Sequence, residues 1–436
     1  MASPAATAPG PEFAGFGTKP YRAYVLGALL TVYTFNFIDR VVVGVIQEPI
    51  KQEFGLSDLQ LGLLGGPAFA VLYTFLGIPI ARLAERKSRV AIVALALAVW
   101  SGMTALCGIA TSYAFLLMAR IGVSVGEAGC TPPAQSLIGD YFPSDKRATA
   151  LSIYALGVPV GSMLAAVGGG FIAEYFGWRE AFLMLGLPGL VLAVVLKLTV
   201  KEPPRSAPAA ETPSFGAAIR TLAAKPTFWH IALGGAVASF VGYGVGQYLN
   251  SFLMRSHGLT LLQASQLTGV VLGMFAALGT FLSGWLADRL SKRHPNALAW
   301  LPALGFLICT PVYVVGYMIP NLWIGVPLLA IGAVTHYFYL GPMYAATQGI
   351  VPPRMRATAV AVLLFIVNIL GYGLGPPAIG LLSDVMAGVA LRAGDLSAEA
   401  AAAQGLRYAI VIGLAGYLWA AVHFLLAWRT LRRDWA

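Results

Sequence analysis

The sequence predicts an all-α membrane protein: twelve transmembrane helices in two pseudo-symmetric six-helix bundles, with both termini cytoplasmic. Three observations carry this. Of 436 residues, 58% are apolar and only 11% charged, with a mean hydropathy of +0.76; a soluble domain carries about 25% charged residues. The apolar runs are about 20 residues long, whereas barrel strands would be about 10 and alternating. The chain also repeats itself once. Phe142-Pro-Ser-Asp-Lys-Arg147-Ala-Thr149-Ala returns 209 residues later as Val351-Pro-Pro-Arg-Met-Arg356-Ala-Thr358-Ala. The turn Gly77-x-x-x-Ala81-Arg82-x-Ala84-Glu85-Arg86 returns 207 later as Gly284-x-x-x-Asp288-Arg289-x-Ser291-Lys292-Arg293.

In chain order, residues 1–22 read as a disordered cytoplasmic tail rich in Ala, Pro and Gly. Span 1, Ala23–Ile46, holds Asp39-Arg40; a second reading ends it at Phe37 and leaves that pair at the interface. Span 2, Leu59–Ala81, runs into the first repeated turn, and span 3, Val90–Ala110, carries no charge. Span 4, Tyr113–Ile138, carries Arg120 and Glu127. Just beyond, Pro132 and Pro133 lack the N–H groups that would bond the carbonyls of Ala128 and Gly129, so a kink is expected there. Span 5, Ala148–Ala173, has Gly157-x-x-x-Gly161 and Gly168-Gly-Gly170, small residues that let helices approach and flex. Span 6 is Ala181–Val200. A cytoplasmic linker rich in Pro, Ala and Ser, residues 201–226, divides the bundle 23–200 from the bundle 227–436. Span 7, Trp229–Leu253, sets Tyr243, Gln247, Tyr248 and Asn250 among Gly242, Gly244 and Gly246. Span 8, Ser265–Ala287, ends in the second repeated turn, and span 9 is Leu298–Ile319. Span 10, Leu322–Thr347, contains His336, which the repeat places opposite Glu127. Span 11, Thr358–Leu382, has Asn368 and answers the span 5 glycines with Gly371, Gly373 and Gly375; span 12 is Leu406–Trp428.

The basic residues orient this array. Of 28 Lys and Arg, five (Lys51, Arg179, Arg255, Arg392 and Arg407) fall outside if the termini are cytoplasmic, and Arg40 and Arg120 lie in the membrane. The rest fall inside, as the positive-inside rule requires. The net charge of +10 is therefore topological. Nucleic acid is excluded as a partner because the cations are spread over many short loops; anionic membrane lipids are a better match. Cys107, Cys130 and Cys309 all fall in spans, so no disulfide framework is implied. No cleavable signal precedes span 1. The five histidines show no His-x-x-x-His pair, the cysteines lack metal spacing, and no Gly-rich phosphate loop is present. No catalytic residue, metal or cofactor is expected, and the protein is read as a monomer that is not an enzyme.

Charge inside hydrocarbon costs roughly 2.5–3.5 kcal/mol per residue on insertion scales and so marks ion or substrate pathways. Asp39, Arg40, Arg120 and Glu127 are the candidates. Asp39 and Arg120 are each expected about 10 Å below the outer surface, with Glu127 about 10 Å deeper on nearly the same helix face as Arg120. Arg40 points about 100° away from Asp39 and can meet Glu127 or a substrate anion. Because a carboxyl's proton affinity depends on whether a cation is close, Glu127 is assigned the proton, with Asp39 as a second site or latch. Arg40 and Arg120 suit a phosphate or carboxylate. The alternative is that Asp39–Arg120 and Arg40–Glu127 are static pairs that specify helix packing. Tyr243, Gln247, Asn250 and Asn368 are candidates for a pocket wall, and His336 for a substrate contact.

Two parallel six-span repeats with the Gly-x-x-x-Asp-Arg turn, and Gly177-Trp178-Arg179-x-Ala181-Phe182 before span 6, resemble the major facilitator superfamily over essentially the whole chain. That resemblance implies substrate binding between the halves near the midplane and alternating access by rocking. It also implies that Asp288, with Arg289 and Arg293, caps a helix of the opposite half and holds the cytoplasmic side shut. The first copy departs from the pattern, with Ala81 at the Asp position and Glu85 between Arg82 and Arg86, so one latch is expected to be weaker unless Glu85 supplies the anion. Asp39-Arg40 with Arg120-x-x-x-x-x-Gly126-Glu127-Ala128 is most similar to the Spinster lipid transporters. This implies a small-molecule or lipid substrate, an amphipathic anion such as a lysophospholipid or sphingoid phosphate, linked to protons. Proton-coupled symporters of small organic anions such as sugar acids share the span 4 residues and remain the alternative. Compact loops suit a bacterial plasma membrane.

Overall fold

The structure is a computed structural model that describes residues 15–204, 215–294, 296–352, 355–394 and 396–435. Residues 1–14 of the expected tail and 205–214 of the expected linker lie outside them; of the rest, Lys19–Arg22 is not a tail but the first turn of the first helix, and Phe215–Ala223 of the linker is a short helix. Among the described residues, twelve helices are long and apolar enough to cross a membrane: Lys19–Phe54, Asp58–Gly77, Arg89–Gly108, Tyr113–Tyr141, Thr149–Tyr175, Trp178–Thr199, Pro226–His257, Leu261–Ser291, Ala297–Met318, Leu322–Gly349, Thr358–Arg392 and Ala398–Asp434. They are spans 1 to 12 from here on, and an even number of crossings leaves Lys19 and Asp434 at one end of the molecule, the termini end.

Span 1 corrects the expectation most. It does not stop at Phe37 or at Ile46 but runs on to Phe54, where Gly55 in the left-handed region (φ 63°) ends it. The polar Gln47-Glu48 that looked like an exit is buried against the other half. Pro49 sits inside this helix, and its missing N–H would have bonded the Val45 carbonyl. Asn250 of span 7 fills the gap, its Nδ2 donating to Val45 O at 2.7 Å. The longer helix puts Asp39 fifteen residues, about 22 Å, from the Phe54 end, near the middle of the helix and not seven residues from its end.

The expected kink in span 4 is a break. Helix stops at Glu127 and resumes at Thr131, bridged by three-residue turns such as Cys130 N–H to Glu127 O at 3.0 Å. Span 10 breaks at the repeat-related place: helix ends at His336, and Tyr337–Tyr339 form a 3₁₀ turn. Glu127 and His336 thus each close the first segment of a discontinuous span.

Within the halves, span 3 packs along span 6, and span 12 packs along spans 7, 9 and 11. Between them, spans 1, 2 and 5 face spans 7, 8 and 11. Spans 5, 8 and 11 each contain a π-helical turn, at Ala165–Gly169, Val270–Phe275 and Val367–Tyr372, on or beside the glycines expected to flex in spans 5 and 11. Such turns recur at functional sites.

The hydrogen bonds and ion pairs that cross between halves gather at the end opposite the termini, here the far end. There Gly62 of span 2 touches the backbone of span 11: a Cβ on it would lie 2.5 Å from Pro376 O and 2.6 Å from Pro377 Cα. Gly62→Ala is therefore expected to part spans 2 and 11 and shift the protein toward conformations open at the far end. Cysteine labelling from that side measures the shift.

Candidate functional site

Asp39, Arg40, Arg120 and Glu127 do come together, on spans 1 and 4. Arg40 Nε donates to Glu127 Oε2 at 2.8 Å. The carboxylate is fully buried and the Arg40 side chain 18% exposed. Arg120, 1% exposed, does not reach the Asp39 carboxylate; its Nη1 donates to the Asp39 backbone carbonyl at 3.2 Å. The Asp39 carboxyl lies within electrostatic reach of both Glu127 and Arg120. Of the two expected pairs, one is made directly and the other is replaced by a backbone contact.

The cluster is under-satisfied. Asp39 Oδ1, Glu127 Oε1, Arg40 Nη2, and Arg120 Nε and Nη2 are buried and make no well-formed hydrogen bond among the described residues, although Trp100 and Thr104 lie beside Asp39, Asn36 beside Glu127 and Tyr73 beside Arg40. Buried polar groups are rarely left so, and here donors and acceptors of opposite sign sit together. The Arg40 guanidinium is also boxed by aromatic rings, with centroids at 4.5 Å for Tyr73, 4.6 Å for Phe69 and 5.1 Å for Phe37. Stacking holds the fork while leaving its outer nitrogen without a well-formed hydrogen bond. Such a site can bind an anion at Arg40 and trade protons at a carboxyl whose counter-charge the anion takes away.

Tyr243 of span 7 is 48% exposed although it lies mid-span, and it lies within electrostatic reach of Arg40 and Tyr73, so it faces the other half across the cleft between them. Its ring lies tilted against that of Tyr372 of span 11, centroids 4.5 Å apart, and Tyr372 meets Phe69 at 5.5 Å. Asn368 lies half-buried in the span 11 π turn. His336 is buried, with Nδ1 3.4 Å from the Tyr417 hydroxyl and Nε2 unpartnered, in a small cavity with Gly242, Gly246, Tyr313, Tyr337 and Tyr417. The repeat offset of 209 makes His336 the counterpart of Glu127, and span 7 has no Asp, Glu, Lys or Arg before Arg255. The C-terminal half therefore carries an uncharged version of the site.

Gln247 and Asn250 lie elsewhere, in the seam between the halves. Gln247 Nε2 donates to Gln47 Oε1 at 2.8 Å, and Gln47 Nε2 to Ser251 Oγ at 2.7 Å. Together with Asn250 on Val45 they roof the cavity at the far end. The residues of the repeated turns are not brought together. Arg82, Glu85, Arg86, Asp288, Arg289 and Arg293 are all exposed at the termini end, and none forms an ion pair among the described residues.

Sequence reasoning missed two charged networks. At the termini end, buried Arg89 donates Nε to Glu202 at 2.7 Å and Nη1 to Ser136 Oγ at 3.0 Å, and pairs with Asp140, tying spans 3 and 4 to the exit of span 6. Burial works to raise the Glu202 carboxyl, but the Val90 N–H, Arg89 and Ser88 outweigh it and hold it below the usual carboxylate range. The second network, at the far end, joins Glu48, Lys51, Asp58 and Arg255.

Comparison with known proteins places these features. The family model described as Major Facilitator Superfamily matches residues 29–376. An "MFS-type efflux pump" of Mycolicibacterium smegmatis is 34% identical over 95% of each chain. "Protein spinster homolog 1" of Homo sapiens is 28% identical over 84% of this chain and 74% of its own length. Among solved structures, a bacterial homologue of the human lysosomal transporter Spinster, inward-facing and unoccupied, superposes with a TM-score of 0.90. It is 41% identical, over 96% of this chain and 99% of that one.

Proposed function

The chain belongs to the major facilitator superfamily, as a transporter of the Spinster type, and from that premise we propose that it moves an amphipathic anionic lipid, such as a lysophospholipid or sphingoid phosphate, by proton-coupled alternating access. One observation carries the reading. A buried Arg40–Glu127 pair sits at a helix break beside the cavity, with neither Arg40 Nη2 nor Glu127 Oε1 in a well-formed hydrogen bond. An anion arriving at Arg40 competes with Glu127 for the guanidinium. A Glu127 that loses that cation gains affinity for a proton, and a protonated Glu127 frees Arg40 for the anion. Asp39 serves as the second carboxyl of this exchange. The aromatic wall of Phe69, Tyr73, Tyr243 and Tyr372 suits an amphiphile, which needs apolar surface beside its charged group.

With the termini cytoplasmic, as the distribution of Lys and Arg requires, the closed far end faces outward and the cavity opens inward, across the bacterial plasma membrane. Asp288, Arg289 and Arg293 with Arg82, Glu85 and Arg86 then form the inner gate, which is undone in this conformation. Ala81 and Glu85 face Pro132 and Ser136 across a cleft. Ala81→Asp is expected to strengthen the inner gate and lower labelling, from the termini side, of a cysteine placed in the cavity. Unchanged labelling would sink that role.

The substrate is tested by uptake of labelled lysophospholipid and labelled hexuronate into proteoliposomes, with and without a pH gradient. Gradient-driven lysophospholipid movement is the expected result. Hexuronate movement alone would transfer the chain to the organic-anion symporters.

A further inference from the structure

Two carboxylates at the far end reach from one half to the other in the same way. Asp384 of span 11 accepts the backbone N–H groups of Asp58 and Leu59, both at 2.9 Å. Glu174 of span 5, 210 residues earlier in the chain, accepts the N–H of Leu262 at 3.2 Å. Each target is the first turn of a helix that opens a span, Asp58–Gly65 in span 2 and Leu261–Gly269 in span 8, and each of these helices begins with a capping box. The first N–H groups of a helix have no intrahelical partner and carry the positive end of its dipole. In span 2, Asp384 takes the first two and Ser57 Oγ the third.

The two contacts are unequal. Glu174 is exposed and makes one bond. Asp384 is half-buried, makes two, and has an ionic cluster behind it. The Arg255 fork donates to both Asp58 oxygens at 2.8 Å and to Glu48 at 2.5 Å. Lys51 pairs with Asp58 from its own half. Ser383 Oγ donates to the Asp58 carboxylate at 2.6 Å, and the Tyr248 hydroxyl to its carbonyl at 2.5 Å. All of these except Lys51–Asp58 join one half to the other and break when the far end opens.

We infer that Asp384 and Glu174 are symmetry-related latches that hold the far end shut. Asp384, whose target Asp58 is itself held across the seam by Arg255, is the stronger and sets how far the resting protein favours the closed-far-end conformation. This holds whichever substrate is carried.

Spin labels on Thr111→Cys and Glu399→Cys, both exposed near the far end, report the opening as a distance distribution in purified full-length protein; the native cysteines are buried. Asp384→Asn is expected to raise the long-distance population about tenfold, from the usual worth of a charged helix cap made through two bonds. Glu174→Gln should raise it less than about twofold, on the scale of a single exposed contact. Asp384→Glu, which keeps the charge, should stay near the parent distribution. Arg255→Lys, which keeps charge but loses the fork, should fall between and serves if Asp384→Asn does not fold. A distribution unmoved by Asp384→Asn or Arg255→Lys, or moved as much by Glu174→Gln, overturns the inference.

Discussion

Glu127→Gln is expected to abolish the response of transport to a pH gradient while leaving the protein folded. Glutamine keeps the size of the side chain and can still accept the Arg40 Nε–H now made at 2.8 Å, so packing at the break in span 4 should survive. What is lost is the proton. One proton moved down one pH unit is worth about 1.4 kcal/mol, a tenfold limit on accumulation. Parent proteoliposomes should approach that factor under such a gradient, and the variant should fall to about onefold, equilibrating substrate without concentrating it. The measurement is steady-state accumulation with and without the gradient. An unaltered gradient response would return Glu127 to a purely structural role, as one member of a static pair.

Removing Arg40 should cost more than transport. Breaking a buried ion pair by deleting one partner costs roughly 3–5 kcal/mol, because the remaining charge is stranded. Glu127 is fully buried, and the rings of Phe37, Phe69 and Tyr73 that stack on the guanidinium would lose their contact as well. Arg40→Ala is therefore expected to lower the unfolding midpoint strongly and to eliminate binding of an anionic lipid. Combining it with Glu127→Gln should restore much of the stability and none of the binding. That cycle separates the two roles of the pair. Arg40→Lys keeps the charge but neither the fork nor the stacking, so intermediate stability and weak binding are expected. Additive losses in the double variant would mean that the two residues are not coupled.

The spans could be read from the sequence because hydrocarbon imposes one rule on every segment that crosses it. The pairing of Arg40 with Glu127 was readable for a similar reason, since four charges in apolar runs have few partners to choose from. The end of span 1 was not readable because Gln47-Glu48 looks like the end of a span. Their burial comes from residues two hundred positions away, and no local window contains that information. The same holds for Asn250 and Gln247, whose side chains suit a pocket wall and a seam equally well until the facing helix is known. Asp58 and Asp384 lay at expected span ends, where a carboxylate is unremarked. Their significance arises only when two halves of the chain meet.

The Val45–Asn250 contact bears on the energy of switching. A carrier must keep its two end states within a few kcal/mol of each other, or one of them is too rare to use. Seams made of interlocked apolar side chains would bias that balance heavily. Pro49 instead leaves a backbone carbonyl with a free lone pair, which Asn250 occupies while the far end is shut. When the halves part, solvent entering the opened crevice can take over the same acceptor, and the amide can turn to water too. A protein–protein hydrogen bond is then exchanged for protein–water bonds of nearly equal worth. A proline in one helix thereby makes the seam specific in its closed register and inexpensive to undo.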